Sequence, residues 1–317
     1  MTSDRSRKAV AIGGGTGLPA VLGSLLDLGF DTSAVVTMAD DGGSSGALRR
    51  ELGMLPPGDV RNCLVAMAKE PDGLAARMLQ YRFLGGEGLA GHALGNLMIA
   101  ALTDIAGDFP SAIDAIGEYL QVRGNVLPST LQDVLLHGVD RAGKEVFGQA
   151  RLAANPSPVA CAFLEPAAPA AYPPALEAIS SADVIVIGPG SLYTSIIPNF
   201  LVAGIAERLC GSSALRVYVC NVANMRGETH GLDAADHVEA LFEHGLAGGL
   251  DVALVHSCAG VDRPCGEDAD PVRSDGDNVE RIEALGVRVV LADLADPTDP
   301  VRHSRSALIA ALREVLV

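Results

Sequence analysis

The sequence predicts an α/β fold built on a doubly wound, mostly parallel sheet. Three observations predict it. Short β-branched runs alternate with helical patterns from one end of the chain to the other. Two of those runs, Lys8–Ile12 and Val184–Ile187, pass straight into glycine-rich turns that open helices. Strand–glycine turn–helix units of this kind are where doubly wound folds hold phosphates. No internal repeat or clean linker divides the 317 residues, so a single domain over 1–317 is expected.

Composition supports a sizeable core and narrows the partners. Hydrophobic residues make up 49% and charged residues 20%. Aromatics are only 4% and Trp is absent, which argues against stacking platforms for single-stranded nucleic acid. Net charge is −16 with no basic run, so neither nucleic acid nor an anionic membrane surface is an expected partner. An anionic small ligand stays compatible, because charge is screened beyond about 8 Å at physiological salt. It needs local arginines, helix ends or a metal ion. The cysteines, Cys63, Cys161, Cys210, Cys220, Cys258 and Cys265, show no C-x-x-C spacing, and a reduced, cytoplasmic setting is expected. The first residues, MTSDRSRKAVAIGGG, carry no signal-peptide core. Val184 to Ala206 is uncharged, but Gly188-Pro189-Gly190 and Pro198-Asn199 break it into a strand, a turn and a helix rather than a membrane span.

In order, Lys8–Ile12 reads as a strand, Gly13-Gly14-Gly15-Thr16-Gly17 as a turn, and Leu18–Leu28 as a helix. Leu18 falls where G-x-G-x-x-G needs its third glycine, and no Walker lysine follows. The turn therefore reads as a loop for phosphate or close backbone approach, not as an NAD fingerprint. Val35-Val36-Thr37 is a second strand, broken at Asp40-Asp41-Gly42-Gly43-Ser44-Ser45-Gly46. Ser44 and Ser45 are expected to cap a helix over Ala47–Leu52, with Arg49 and Arg50 facing solvent. A second break at Leu55–Asp59 makes Asp59 the expected N-cap of a helix over Val60–Ala68 that carries Arg61 and Asn62. One segment thus offers acids, two helix N-termini and an arginine at the ligand edge of a strand. Adjacent Asp40 and Asp41 are candidate Mg²⁺ ligands; solvated turn chemistry is the bland alternative.

Helices are expected over Leu74–Tyr81 and Phe109–Gln121, and an apolar one ends near Leu102. His92 and Asn96, four apart, would share a helix face and either hydrogen-bond a ligand or sit as satisfied polar groups among small residues. Residues 126–150 alternate around a turn at Arg141–Lys144 and predict a β-hairpin insertion. Residues 155–174 hold six prolines and read as a surface connector, with Pro173-Pro174 starting a helix. Gly188-Pro189-Gly190-Ser191-Leu192-Tyr193-Thr194-Ser195 is a second candidate phosphate cradle, followed by a helix to about Leu209. Arg216–Asn221 is a strand ending with Asn221 at the ligand edge. Asp236–Phe242, Val252–Val255 and Val287–Leu291 continue the alternation. Asp262–Asp277 is an acidic loop without calcium-loop spacing, expected to be solvated. Asp296–Pro300 leads into a last helix, Val301–Leu316, that begins with Arg302-His303.

The blocks GGGTGLPAVLGSL, ADDGGSSGALRRELGMLPPGDVRNCLVA, YRF, GLAGHALGNLMIAAL, VLPST, GPGSLYTSIIPNFLV, VYVCN and VRHS, in this order over nearly the whole chain, resemble the YvcK-type gluconeogenesis factors. These belong to the 2-phospho-L-lactate transferase (CofD) superfamily. The resemblance implies a Rossmann-like fold with a nucleotide at the strand ends. It implies a UDP-sugar ligand, UDP-N-acetylglucosamine, and a role in cell shape and envelope metabolism on gluconeogenic carbon sources. By motif, the implied binding positions are Gly14, Thr16, Gly17, Asp40, Asp41, Ser44, Asp59, Arg61, Asn62, His92, Asn96, Gly190, Ser191, Thr194, Asn221 and Arg302.

The transferase branch of the superfamily suggests an alternative. It joins a phospho-acid from a nucleotide-activated donor to a deazaflavin alcohol with a divalent ion, which Asp40 and Asp41 would hold. That branch reads GPSN-P where this chain has GPGSLYT, and its acidic loop lacks the GGSSG extension. Some family members carry a phosphorylatable threonine after VRH; here Ser304-Arg305 follows. No nucleophile–base pair stands out in the sequence, so a ligand-binding regulator without turnover is the favoured reading. An NAD-dependent oxidoreductase is a weaker third, given the glycine spacing. Apolar helix surface makes a homodimer an expected assembly.

Overall fold

The computed structural model describes residues 6–257 and 268–316. Its centre is a sheet of seven strands: β1 (Lys8–Gly13), β2 (Asp31–Val36), β3 (Asn125–Pro128), β4 (Val184–Ile187), β5 (Leu215–Val219), β6 (Val252–His256) and β7 (Arg288–Ala292). Their spatial order is β7-β6-β5-β4-β1-β2-β3, and every pairing is parallel. Helices lie on both faces, so the central strands are buried on both sides and read as continuous apolar runs. Val184 to Ile187 has no exposed residue. Such strands carry β-branched side chains because these pack well on a pleated, buried surface. The order makes the chain Rossmann-like: it steps outward from β1 to β3, then restarts at β4 on the other side of β1. That reversal is the switch point at which open α/β sheets bind ligands. No helix among the described residues is long and apolar enough to cross a membrane.

The insertion is larger than a hairpin. Val126 lies in β3, at the edge of the main sheet, so the insertion begins later than its sequence pattern suggested. Strands Leu135–Asp140 and Glu145–Phe147 form the hairpin, and Val159–Glu165 adds a third antiparallel strand. That third strand sits inside the proline-rich stretch read as a connector. Its prolines bound the run rather than interrupt it, leaving seven residues free to donate ladder bonds.

Several element boundaries move for local reasons. The second helix spans Gly43–Leu52 with Gly42 at its N-cap, so Ser44 and Ser45 lie inside it and their hydroxyls bond elsewhere. The third spans Gly58–Ala66 with Pro57 at the N-cap, which puts Asp59 in the first turn instead of at the cap. His92 precedes the helix Leu94–Ala106 and so shares no helix face with Asn96. After the second glycine turn the chain forms a π-turn, Leu192–Ile196, then two short helices, Ile197–Phe200 and Ile205–Cys210, separated near Gly204. The last helix is Arg305–Leu316; Arg302 and His303 precede it, with His303 bridged to Ala295. Arg49 is buried rather than solvent-facing. It donates to the Val134 carbonyl and pairs with Asp133, tying the second helix to the insertion. In the acidic stretch, Ala269–Pro271 pairs with Ala223–Met225 and Asp275 caps the helix Gly276–Ala284. Residues 262–267 of that stretch, with Cys265, and likewise Cys258, lie outside the described residues. Cys63 and Cys220 are buried, Cys161 is exposed and Cys210 is half-buried, all as free thiols.

Candidate functional site

The two glycine turns leave adjacent strands, β1 and β4, at the switch point, and they press on each other. A Cβ at Gly17 would lie 2.5 Å from the Pro189 carbonyl oxygen, and one at Gly190 would lie 3.2 Å from the Gly14 oxygen. A Cβ at Gly14 would meet Thr37 Cγ2 at 2.6 Å and Asp59 Oδ2 at 2.7 Å. Gly15 has φ +66°, a conformation that glycine adopts without strain. The glycines at 14, 17 and 190 are thus required by the fit of one turn against its neighbours. This fit also brings bare backbone to a shared edge. A cleft of about 390 Å³ opens there, lined by Thr16, Gly17, Gly190, Ser191, Asn221 and Arg302, among others.

Asn221, the residue β5 delivers to this edge, holds the second turn in shape. Its Nδ2 donates to the Gly190 carbonyl at 2.8 Å, and its Oδ1 accepts the Gly190 N–H at 3.2 Å. Arg302 stands at the rim, exposed, with Nε 3.0 Å from Asp299 Oδ2. A pair this exposed contributes little stability, so the guanidinium is available to a stronger acceptor. His303 shares a hydrogen bond with the Cys220 carbonyl at 3.0 Å; burial lowers its pKa to about 4, so it adds no positive charge at neutral pH.

Glu228 also lines the cleft, and nothing in the sequence singled it out. It is buried, and its Oε1 accepts the Tyr193 N–H at 2.8 Å, the Thr194 N–H at 3.1 Å and the Thr194 hydroxyl at 3.3 Å. Burial raises its pKa while these donors lower it, and the net shift is upward. The N–H groups expected to cradle a phosphate after the second glycine turn are therefore engaged by a side chain of the protein. Thr194 does not line the cleft, whereas Gly190 and Ser191 do, and the Ser191 side chain also bonds Glu228. The polar run Arg226-Gly-Glu-Thr-His carries no periodicity that would mark Glu228 as inward-facing.

The acidic loop after β2 divides its two aspartates. Asp41 accepts the Gln149 N–H at 3.0 Å and the Ala150 N–H at 2.8 Å, one on each oxygen, so it caps the short helix Gln149–Ala153 of the insertion. Asp40 instead faces inward, bonded to the Gly42 N–H at 3.0 Å and to Ser45. Its carboxylate neighbour across the site is Asp59, which accepts the Gly15 N–H of the first glycine turn. Burial, and then the charge of Asp40, push the Asp59 pKa up to about 6. Burial likewise raises Asp40. Two half-buried carboxylates, with the charge of Asp40 raising the Asp59 pKa, fit a hard cation with oxygen ligands. No group of three or more His, Cys, Asp or Glu among the described residues is placed to hold a metal, so the remaining ligands would be water or ligand oxygens. That is the usual coordination of Mg²⁺.

Beyond Asp59 a polar chain runs through most of the remaining expected residues. Arg61 is buried; one Nη donates to Asn96 Oδ1 and the other to Asn62 Oδ1 at 2.8 Å. Asn96 Nδ2 donates to Ser44 Oγ at 3.0 Å, which leaves the hydroxyl proton for His92 Nδ1 at 3.1 Å. Gln80 Nε2 joins at Asn62 Oδ1, 3.2 Å away. Desolvation, with the charge of Arg82 second, lowers the Arg61 pKa to about 10. Expected residues thus fall into two groups, the glycine cleft and this chain, joined at the Gly15–Asp59 contact.

Comparison with known proteins gives this geometry a family. Residues 9–295 match the model of 2-phospho-L-lactate transferase CofD. A gluconeogenesis factor of Halalkalibacterium halodurans is 42% identical over 98% of this chain and 97% of its own. The Bacillus subtilis gluconeogenesis factor is 40% identical over 98% of each. The crystal structure of a Bacillus halodurans protein superposes with a TM-score of 0.92 at 42% identity, covering 98% of this chain and 100% of the other. With a match of this length carrying both glycine turns and the acidic loop, the chain belongs to the CofD family, alongside the proteins called gluconeogenesis factors.

Proposed function

We propose that the chain binds a nucleotide sugar, UDP-N-acetylglucosamine, in the cleft between the glycine turns. Its occupancy would act as a regulatory signal for cell shape and envelope metabolism during gluconeogenic growth. The observation that carries this reading is the meeting of two bare-backbone turns at the β1/β4 switch point, with Asn221 fixing one turn and Arg302 at the rim. Backbone N–H groups and one forked guanidinium suit a diphosphate, and an arginine offers it two parallel donors. The cleft volume suits a small-molecule ligand.

Arg302→Ala is expected to weaken UDP-N-acetylglucosamine binding about ten- to a hundredfold, the worth of a charge-assisted phosphate contact. The Tm of the free protein should barely change, because among the described residues the only ion pair lost is the exposed one to Asp299. Calorimetric titration beside Arg50→Gln, an exposed control, reads the difference. Equal affinities in wild type and Arg302→Ala would remove Arg302 from the site.

A second reading, a CofD-type transferase, is favoured by one observation: the half-buried Asp40–Asp59 pair. Bound there, Mg²⁺ would neutralise charge on a transferring phosphoryl group. On this reading Asp40→Asn abolishes Mg²⁺ binding in calorimetry. Nucleotide release from an activated phospholactate donor with a deazaflavin acceptor, lost in Asp40→Asn, would establish turnover; its absence with UDP-N-acetylglucosamine still bound leaves the regulator.

A further inference from the structure

A pocket of about 510 Å³ lies between the second helix and the insertion. Three arginines line it: Arg49 and Arg50 from the last turn of the second helix, and Arg151 from the short helix Gln149–Ala153. Gly46 lines it too. A Cβ there would collide with the Asp41 carbonyl oxygen and stand 3.1 Å from Arg50 Nη1, so the head of Arg50 lies over bare backbone. Two carboxylates share the pocket, and both are engaged. Asp133 pairs with Arg49, and Asp41 accepts the Gln149 and Ala150 N–H groups, one on each oxygen. Among the described residues, neither the Arg50 nor the Arg151 guanidinium has a hydrogen-bond partner or a carboxylate within 4.0 Å. Arg49 is 8% exposed. Its Nη2 is held by Val134 and Asp133, and its Nη1 is a buried donor with no acceptor.

The wall formed by the insertion is aromatic and apolar. Phe147 stands opposite His137 in the ladder, and Leu135 lies two residues before His137, so the three share one face of the small sheet. All three line the pocket, with Phe147 and Leu135 exposed. The His137 ring stacks on Phe163 at 5.5 Å and meets Phe147 edge-on at 4.7 Å. It is 5% exposed; its Nε2 stands 3.0 Å from Glu165 Oε2, and its Nδ1 has no hydrogen-bond partner. Buried polar atoms without partners cost stability unless something completes them. Here two of them, Arg49 Nη1 and His137 Nδ1, belong to residues that line one pocket, beside two uncommitted guanidiniums. In a chain of net charge −16, this is a local excess of positive charge.

We propose that the pocket binds a small organic acid with a flat apolar body. Arg49, Arg50 and Arg151 receive its carboxylate, and Leu135 and Phe147 receive the ring. An arginine fork matches the two oxygens of a carboxylate, and guanidinium planes stack on aromatic faces. The volume falls in the range of small-molecule sites. The site stands independently of the nucleotide-sugar reading, since none of its lining residues lines the glycine cleft.

The test uses the full chain with 3-phenylpropionate as the probe. Its two controls are 3-phenylpropan-1-ol, which keeps the ring without the charge, and propionate, which keeps the charge without the ring. In a titration followed by ligand-observed NMR, 3-phenylpropionate should bind wild-type protein more tightly than either control. Arg151→Gln and Arg50→Gln should each weaken it about tenfold or more, Arg151→Lys less, and Arg313→Gln, an exposed change in the last helix, not at all. Arg50 and Arg151 are exposed, so these variants should keep the wild-type Tm. UDP-N-acetylglucosamine affinity should be unchanged in Arg151→Gln. No binding of 3-phenylpropionate at millimolar concentration, or equal binding by wild type and Arg151→Gln, would overturn the site. So would an equal loss in Arg313→Gln, which indicates diffuse attraction only, or equal affinity for the alcohol, which indicates an apolar patch without anion recognition. Loss of UDP-N-acetylglucosamine binding in Arg151→Gln would give the pocket to the nucleotide sugar and end the proposal. Wild-type protein that binds 3-phenylpropionate but no UDP-sugar would sink the nucleotide reading and leave this one standing.

Discussion

Gly17→Ala is expected to destabilise the protein by about 1–3 kcal/mol or more and to remove most of its nucleotide affinity. Gly17 has φ −81° and ψ −42°, which alanine adopts freely, so the effect is steric rather than conformational. The new methyl carbon would sit 2.5 Å from the Pro189 carbonyl oxygen and 2.8 Å from its carbon. Both are backbone atoms, held by β4 and by the Asn221 bonds to Gly190. Relief therefore requires one whole turn to move. Because the cleft is the seam between the turns, that movement changes the positions of the backbone N–H groups a diphosphate would use. Urea denaturation and UDP-N-acetylglucosamine titration on one preparation read both effects. Gly29→Ala is the comparison: its Cβ would meet nothing within 4 Å, and only the positive φ of +83° penalises it. A Gly17→Ala protein as stable as wild type and binding as tightly would mean that the turns do not pack as described.

Asp59→Asn should raise stability at pH 7.5 by up to ~3 kcal/mol. The folded-state pKa is raised from 3.8 to about 6, by burial first and by Asp40 second. A raised carboxyl pKa means the folded protein holds its proton more tightly than the unfolded chain does. The group costs nothing below about pH 3.8, costs progressively more between pH 4 and 6, and imposes its full cost above pH 6. Asparagine keeps an acceptor for the Gly15 N–H and carries no charge, so the difference in stability between variant and wild type should grow over that window and then level off. Mg²⁺ should reduce the difference by stabilising wild type alone, since a cation relieves the Asp40–Asp59 repulsion. Other carboxylates, such as Asp251 beside Arg216, have lowered pKa values and give slopes of opposite sign. The variant-minus-wild-type difference is therefore the informative quantity. A difference that is flat from pH 4 to 7, or an asparagine variant less stable at pH 7.5, would rule out a strained carboxylate at this position.

Most strands of the central sheet and the two glycine turns could be read directly from the amino-acid sequence. Their signals are local: Val184-Ile-Val-Ile187 is apolar because both its faces are covered, and glycines follow because the chain must turn sharply into a helix. The ordered motif blocks likewise carried the family. Tertiary structure alone decided which partner each polar group took. Asp40 and Asp41 are neighbours in sequence, yet one faces Asp59 and the other caps a helix more than a hundred residues away. Ser44, in a position that suggests a cap, instead joins His92 to Asn96. The N–H groups after the second glycine turn meet Glu228, from a loop without periodicity. Val159–Glu165 becomes a strand only because Leu135–Asp140 lies beside it. Backbone conformation depends on near neighbours, so it is legible along the chain. Hydrogen-bond partners and charge pairs depend on which surfaces the fold brings together, so they were settled only when the sheet closed at β1 and β4.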